Sequence, residues 1–227
     1  MLAPAIRSEF SLSLGQVGIV LGAEWIGLIV ALLPWGLAVD RFGERWTLAA
    51  GMLGCAAFLV AAAFADSFAT FVVLIALAGG AGASVQSGSG RAIMNWFGSE
   101  ERGLALGIRQ TAVPVGGVIG ALVLPAVVSS GGLEAAFLTL AGLALAGAVI
   151  GGAFLRERVR EHVVEAVPWT LRDRTLWLVS WGSGLYLVAQ VAVLGFLVLY
   201  LHDERGVPVA AGAAALAGVN VLSLIHI

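Results

Sequence analysis

Between two long apolar runs the chain carries one short charged turn, Gly36 to Leu48, in which Asp40, Arg41, Glu44 and Arg45 crowd onto glycine-marked backbone. Ionic side chains at this density cannot rest in hydrocarbon, so the turn must lie at a water boundary and the runs on either side must cross a membrane. The turn thereby sets the depth of every residue in the two runs it joins.

The rest of the chain has the composition of such a protein. Its 227 residues are 60% hydrophobic and 11% charged, with a mean hydropathy of +1.00, which leaves too little charge to coat a soluble globule of this size. Ser13 and Gln16 have the spacing of a capping box, opening a helix that stays apolar to about Val39, long enough to cross a ~30 Å core. Further apolar runs follow at Trp46 to Ala65, Phe71 to Met94, Leu104 to Val128, Leu133 to Leu155, Thr175 to Leu201, and Val207 to the end. They are apolar on all sides and far longer than the about 9 to 11 residues of a transmembrane strand. The expected fold is therefore an all-α polytopic membrane protein, with six full transmembrane helices and an unfinished seventh.

All the basic residues are arginine, and their placement orients the chain. With the Asp40 turn cytoplasmic, Arg41, Arg45, Arg91, Arg102, Arg109, Arg156, Arg158, Arg160, Arg172 and Arg174 share that side, leaving Arg7 and Arg205 outside, as the positive-inside rule requires. Trp35, Trp46, Trp96, Trp169 and Trp177 fall near the same boundary. The polar stretch 156–174 is the expected linker between a bundle in 1–155 and the start of a second in 175–227. Met1 to Phe10 reads as a loop or a cut end rather than a targeting segment.

Several chemistries are disfavoured. A net charge of -2 gives no basic field for nucleic acid. His162, His202 and His226 lie apart with no ligand-spaced partners, so neither a metal nor a cofactor is expected, and Cys55 reads as a packing residue. No nucleophile and base pair is visible, so an enzyme is not expected.

Polar residues inside the spans are the candidates for function. Glu24 lies about ten residues into the first span, ~15 Å deep, where a carboxyl must be protonated, partnered or turned to the bundle interior. It is the candidate for proton coupling, set against a plain interhelical hydrogen-bonding role. Arg109, followed by Gln110 and Thr111, lies one and a half turns inside the fourth span and is a candidate anion contact, whereas Arg91 can snorkel to the headgroups. Gln86 is a candidate cavity-lining group in the Gly79 to Gly90 stretch, whose small residues otherwise suit close helix packing. Tyr186 and Gln190 share one helical face, and Asn220 is similarly placed in the last run; each suits packing as well as ligand contact. Pro114, with Gly116, Gly117 and Gly120, predicts a bend whose freed carbonyl is met by Thr111 or a neighbour.

The Gly36 to Leu48 turn resembles the signature loop of the major facilitator superfamily, Gly-x-Leu-Ala-Asp-Arg-x-Gly-Arg-Lys-x-x-Leu, between that family's second and third helices. Gly36, Asp40, Arg41, Gly43 and Leu48 agree and Arg45 stands at the lysine-like position, while Glu44 replaces an arginine. Glu101, Arg102 and Gly103 before the fourth span and a basic linker extend the likeness. The resemblance implies helices two to eight of twelve, the first and the last four lying outside this chain, and two bundles that rock about a midplane site. It implies a multi-pass transporter of the inner (plasma) membrane, monomeric when full length, with a small solute, protons and the lipid bilayer as partners. Proton-linked uptake of a small anion is the leading expectation, because Ala76 stands where the drug and proton antiporters of the family carry arginine and their Gly-Pro-x-x-Gly pattern is missing. Proton-coupled efflux of an apolar compound and a non-transporting receptor are the alternatives. Gly36, Asp40, Arg41, Gly43, Arg45, Glu101 and Arg102 are the implied gating residues, with Asp40 and Arg41 as the latch. Within Leu222 to Ile227, which ends the last run, Ser223 to Ile227 resembles sequencing-adapter read-through.

Overall fold

The structure, a computed structural model, describes residues 2–156 and 173–224. Most of the linker, with Arg158, Arg160, His162, Pro168, Trp169 and Arg172, lies outside the described residues, as does His226. Six helices follow one another among the described residues: α1 (Ala3–Glu9), α2 (Leu14–Ala63), α3 (Phe68–Trp96), α4 (Arg102–Phe154), α5 (Arg174–Asp203) and α6 (Val209–Leu224).

Two of these are too long to be rods. With 50 and 53 residues, α2 and α4 would each extend over about 75–80 Å if straight, more than twice the bilayer core. Each is folded back at one glycine: Gly43 has φ 81° and ψ 169°, and Gly132 has φ 71° and ψ -170°. That region of backbone space is essentially closed to residues with a Cβ. The two arms of α2, α3, the two arms of α4, α5 and α6 account for all seven apolar runs of the sequence. The Ser13 capping box is also present, with the hydroxyl accepting from the Gln16 amide and the Gln16 side chain accepting from the Ser13 amide.

α3 runs along both arms of α2, in parallel with the first and antiparallel to the second. The helices meet backbone to backbone. A Cβ placed on Gly27 would fall 1.8 Å from the Ala76 carbonyl oxygen, and one on Gly79 would fall 2.2 Å from that of Glu24. Trp35 Nε1 then reaches the Gly80 carbonyl at 2.8 Å. Without water to drive association, such contact is what holds membrane helices together.

A larger apolar cluster seals the end away from Gly43. Ile6, Leu12, Val17, Val20, Phe71, Ile75, Phe137 and Leu199 pack there, with Phe71 5.3 Å from Phe137 in an edge-on contact and 5.0 Å from Phe10. The segment expected to be a loop, Met1 to Phe10, contributes α1 to this cluster. Pro4 suits its first turn, and Ala3 and Ile6 gain their apolar partners only from the tertiary fold. In α4, Thr111 Oγ1 donates to the Ile108 carbonyl at 2.7 Å, not to the Gln110 carbonyl that Pro114 leaves free.

α5 is packed at one end only. Val198 and Leu199 are 1% and 2% exposed, whereas Trp181 and Tyr186, toward the arginine-rich end, are 66% and 70% exposed. α5 therefore touches its neighbours at the sealed end and stands away from them at the other.

Replacing Gly27 by valine is expected to cost at least about 3 kcal/mol, the upper part of the usual overpacking range, because the carbonyl it meets cannot move aside. Gly22→Ala, with nothing within 4 Å of its Cβ, is expected to be neutral. Thermal unfolding in detergent compares the two.

Candidate functional site

The charged turn is built by Gly43. Its backbone ends the first arm of α2 and starts the second within one residue, so Asp40 and Glu44 are brought to the same end of α3. There Arg91 takes both: its Nη1 pairs with Asp40 Oδ1, and its Nε lies 3.8 Å from Glu44 Oε1. Asn95, one turn further along α3, donates its Nδ2 to the same Glu44 oxygen. Glu44 is only 7% exposed, so it is the inner member of the network, while Asp40 faces a groove of about 550 Å³ with Gly36, Leu37, Arg91, Met94 and Asn95.

This arrangement answers the departure at Glu44. A carboxylate where the signature carries a cation is met by a cation and an amide from α3, so the charge inversion is compensated by its neighbours. Arg41, the other residue of the expected latch, places its guanidinium 5.5 Å from the Phe42 ring. The partner of Asp40 is Arg91, whose snorkelling was the simpler reading of the sequence. The available signal was the Arg91 and Asn95 spacing of four, which puts both on one face of α3.

Other implied gating residues brace the same end. Arg45 Nε donates to the Gly152 carbonyl at 2.5 Å, tying the second arm of α2 to the last turn of α4. Arg102 donates to the carbonyls of Phe97, at 3.2 Å, and Met94, at 3.0 Å, closing the C-terminal end of α3. Glu101 is exposed at the start of α4, and Gly36 is half-buried beside the groove.

A second polar cluster joins α3 to the first arm of α4. Arg109 Nε donates to Ser89 Oγ at 2.7 Å, and one Nη2 donates both to the Gln86 carbonyl at 3.3 Å and to Gln86 Oε1. Arg109 is half-buried, and among the described residues no carboxylate lies within ion-pair distance of it. Its Nη1 group donates to none of them. A cation held by neutral groups keeps its charge available to an anion. Ser89 was not singled out in the sequence, although it lies three residues from Gln86 on the same helix.

The remaining candidates are dispersed. Glu24 and Gln110 lie on exposed faces of α2 and α4, and Tyr186 is exposed and Gln190 half-buried on α5; none hydrogen bonds through its side chain to another described residue. Asn220 is buried, donates to the Leu216 carbonyl at 2.9 Å and lies against Gly117, where a Cβ would fall 2.4 Å from its Oδ1. Its geometry is that of a packing contact between α4 and α6.

Membrane-length helices folded at two glycines, with a charged turn clasped to the end of the neighbouring helix, define a polytopic membrane protein. The chain belongs to the Major Facilitator Superfamily, whose family model matches residues 1–227. It is 31% identical over 214 residues to an uncharacterized MFS-type transporter of Mycobacterium tuberculosis, covering 92% of this chain and 48% of that protein. It is 25% identical over 221 residues to the hexuronate transporter of Bacillus subtilis, covering 91% of this chain and 52% of the other. The fold matches that of a bacterial homolog of the human lysosomal transporter Spinster, in an inward-facing and occupied conformation, with a TM-score of 0.79 at 19% identity over 96% of this chain and 53% of that one. The chain spans about half the length of the curated relatives it matches.

Removing the inner carboxylate is expected to cost more than removing the outer one. Glu44→Ala strands the buried Asn95 amide, at about 1–3 kcal/mol, whereas Asp40→Ala, at the water-facing side of Arg91, should cost about 1 kcal/mol or less. Unfolding of the two variants in detergent measures the order.

Proposed function

We propose that the chain forms much of a secondary transporter that moves a small organic anion by alternating access, as proton-linked uptake across the inner (plasma) membrane. The observation that carries the reading is Arg109. Its guanidinium is half-buried in a membrane span, is oriented by Ser89 and Gln86, and faces no carboxylate among the described residues. A planar cation with Nη1 hydrogens to spare suits a carboxylate or a similar oxyanion. The likeness to a hexuronate transporter supports the same substrate class.

Glu24 is the proton-binding group in this reading. A carboxyl with no ion pair in the middle of a span is best tolerated when protonated, and a change of protonation there would couple to rocking of the two bundles. Tyr186 and Gln190 on α5 and Gln110 on α4 supply neutral hydrogen bonds to the substrate in this reading. Asp40, Arg91, Glu44 and Asn95 hold the cytoplasmic end of α2 to α3, and Arg45 and Arg102 brace the adjoining helix ends. The stretch 156–174 links the two bundles.

Uptake of a radiolabelled hexuronate into proteoliposomes made with the whole open reading frame tests this. A pH gradient is expected to drive accumulation, and Arg109→Leu is expected to weaken substrate affinity about ten- to hundredfold, the loss of one charged hydrogen-bonding group. Glu24→Gln should leave exchange of internal for external anion intact while removing the response to the gradient. Absence of organic-anion flux, or export of an apolar compound in its place, would overturn the reading.

A further inference from the structure

The last turns of α3 and the end of α4 leave a slot between them that neither the charged turn nor the Arg109 cluster uses. Ala92, Ile93, Trp96 and Phe97 line it from one face of α3, and Phe154 and Leu155 line it from α4. Its volume is about 220 Å³. One turn of a helix, ~10 Å across with a ~5.4 Å pitch, fills about 400 Å³, so the slot is too small for another helix and wide enough for an acyl chain. Its outer wall is bare: Phe154, 77% exposed, is the most exposed large apolar side chain among the described residues.

The rim of the slot is cationic. Arg156 directly follows Leu155 and is exposed, and its carbonyl accepts from Trp96 Nε1 at 3.1 Å, which ties the rim across the two helices. Arg102 is fixed beside Phe97, donating from Nε to that residue's carbonyl and from Nη2 to the Met94 carbonyl. Among the described residues no carboxylate, the nearby exposed Glu100 and Glu101 included, lies within ion-pair distance of either arginine. An indole in this position marks the boundary of headgroups and tails, so the slot lies level with the tails and the two guanidiniums level with the phosphates.

We propose that the slot is a binding site for one anionic phospholipid of the leaflet on the arginine-rich side, its acyl chain held between α3 and α4 and its phosphate on Arg156 and Arg102. The apolar walls hold the chain, and the unpaired charge of the rim selects the headgroup. A zwitterionic lipid offers the same chain and phosphate but brings its own cation toward the two arginines, which weakens it. The site requires neither an organic-anion substrate nor a proton gradient.

Native mass spectrometry of the full-length protein in detergent tests the site, with dioleoyl phosphatidylglycerol or dioleoyl phosphatidylcholine added and the dissociation constant of the first bound lipid measured. The anionic lipid is expected to bind at least about fivefold more tightly, and Arg156→Gln is expected to remove about fivefold of that affinity while leaving the zwitterionic lipid unchanged, the share of one arginine at a membrane surface. Phe154→Ala, which removes an exposed wall and leaves the packed core alone, is expected to weaken both lipids by about three- to tenfold, the loss of part of one aromatic contact. Arg205→Gln, an exposed charge at the opposite end, is expected to change neither. Equal affinity for the two lipids, an anionic preference that survives Arg156→Gln, or an equal loss in Arg205→Gln overturns the headgroup site. Binding of both lipids that ignores Phe154→Ala overturns the slot as the place of the chain.

Discussion

The contact of α2 with α3 through bare backbone is the constraint on which the rest of the arrangement depends. Gly27 against the Ala76 carbonyl and Gly79 against that of Glu24 leave no room for a side chain, so the two helices have one register available. That register places Gly80 under the Trp35 indole, Ser84 against Gly51 of the second arm, and Arg91 between Asp40 and Glu44. A slip of one residue would put Cβ atoms where carbonyl oxygens lie and would separate the ions. Close packing among small residues therefore positions the charged groups several turns away.

The two ends of the molecule are held by different physics. Around Phe71 the bond is apolar and aromatic, with α1, α2, α3, α4 and α5 all contributing. Around Gly43 it is ionic and hydrogen-bonded, and Glu44 is buried there in company with Arg91 and Asn95. An isolated carboxylate at that place would be costly, and one with a cation and an amide beside it is not. Arg109 has a different character, because its partners are neutral and its charge is unspent. The two arginines thus differ in their partners: Arg91 on α3 meets carboxylates, whereas Arg109 on α4 meets only neutral groups among the described residues.

Much of the fold was legible in the sequence because hydrophobic length is a one-dimensional property. Each of the seven runs is helical in the structure, and the Ser13 cap and the glycine-marked turn fall where their spacing predicted. α1 was not legible, since Ala3 and Ile6 are apolar only in relation to a cluster assembled from residues far along the chain. The site was legible in part. Arg109 and Gln86 were both marked by polarity inside a span, and the structure places them in contact. The pairing of Asp40 with Arg91 was not, because the partner lies on another helix and the sequence does not say which helix faces come together.

The sequence by itself determined that this chain is a helical membrane protein, how many times it crosses and where its arginine-rich boundary lies. Those properties follow from the cost of burying charge and bare backbone in hydrocarbon, which acts on each segment alone. It also determined the family, through the residues of one turn that Gly43 alone can close. Only the tertiary structure decided which ions meet. Glu44 became a buried partner of Arg91 and Asn95, Arg109 was left without a carboxylate among the described residues, and Arg7 reached Asp203 across nearly the whole chain. Each of these depends on the distance between helices, and that distance is set by the side chains that Gly27 and Gly79 lack.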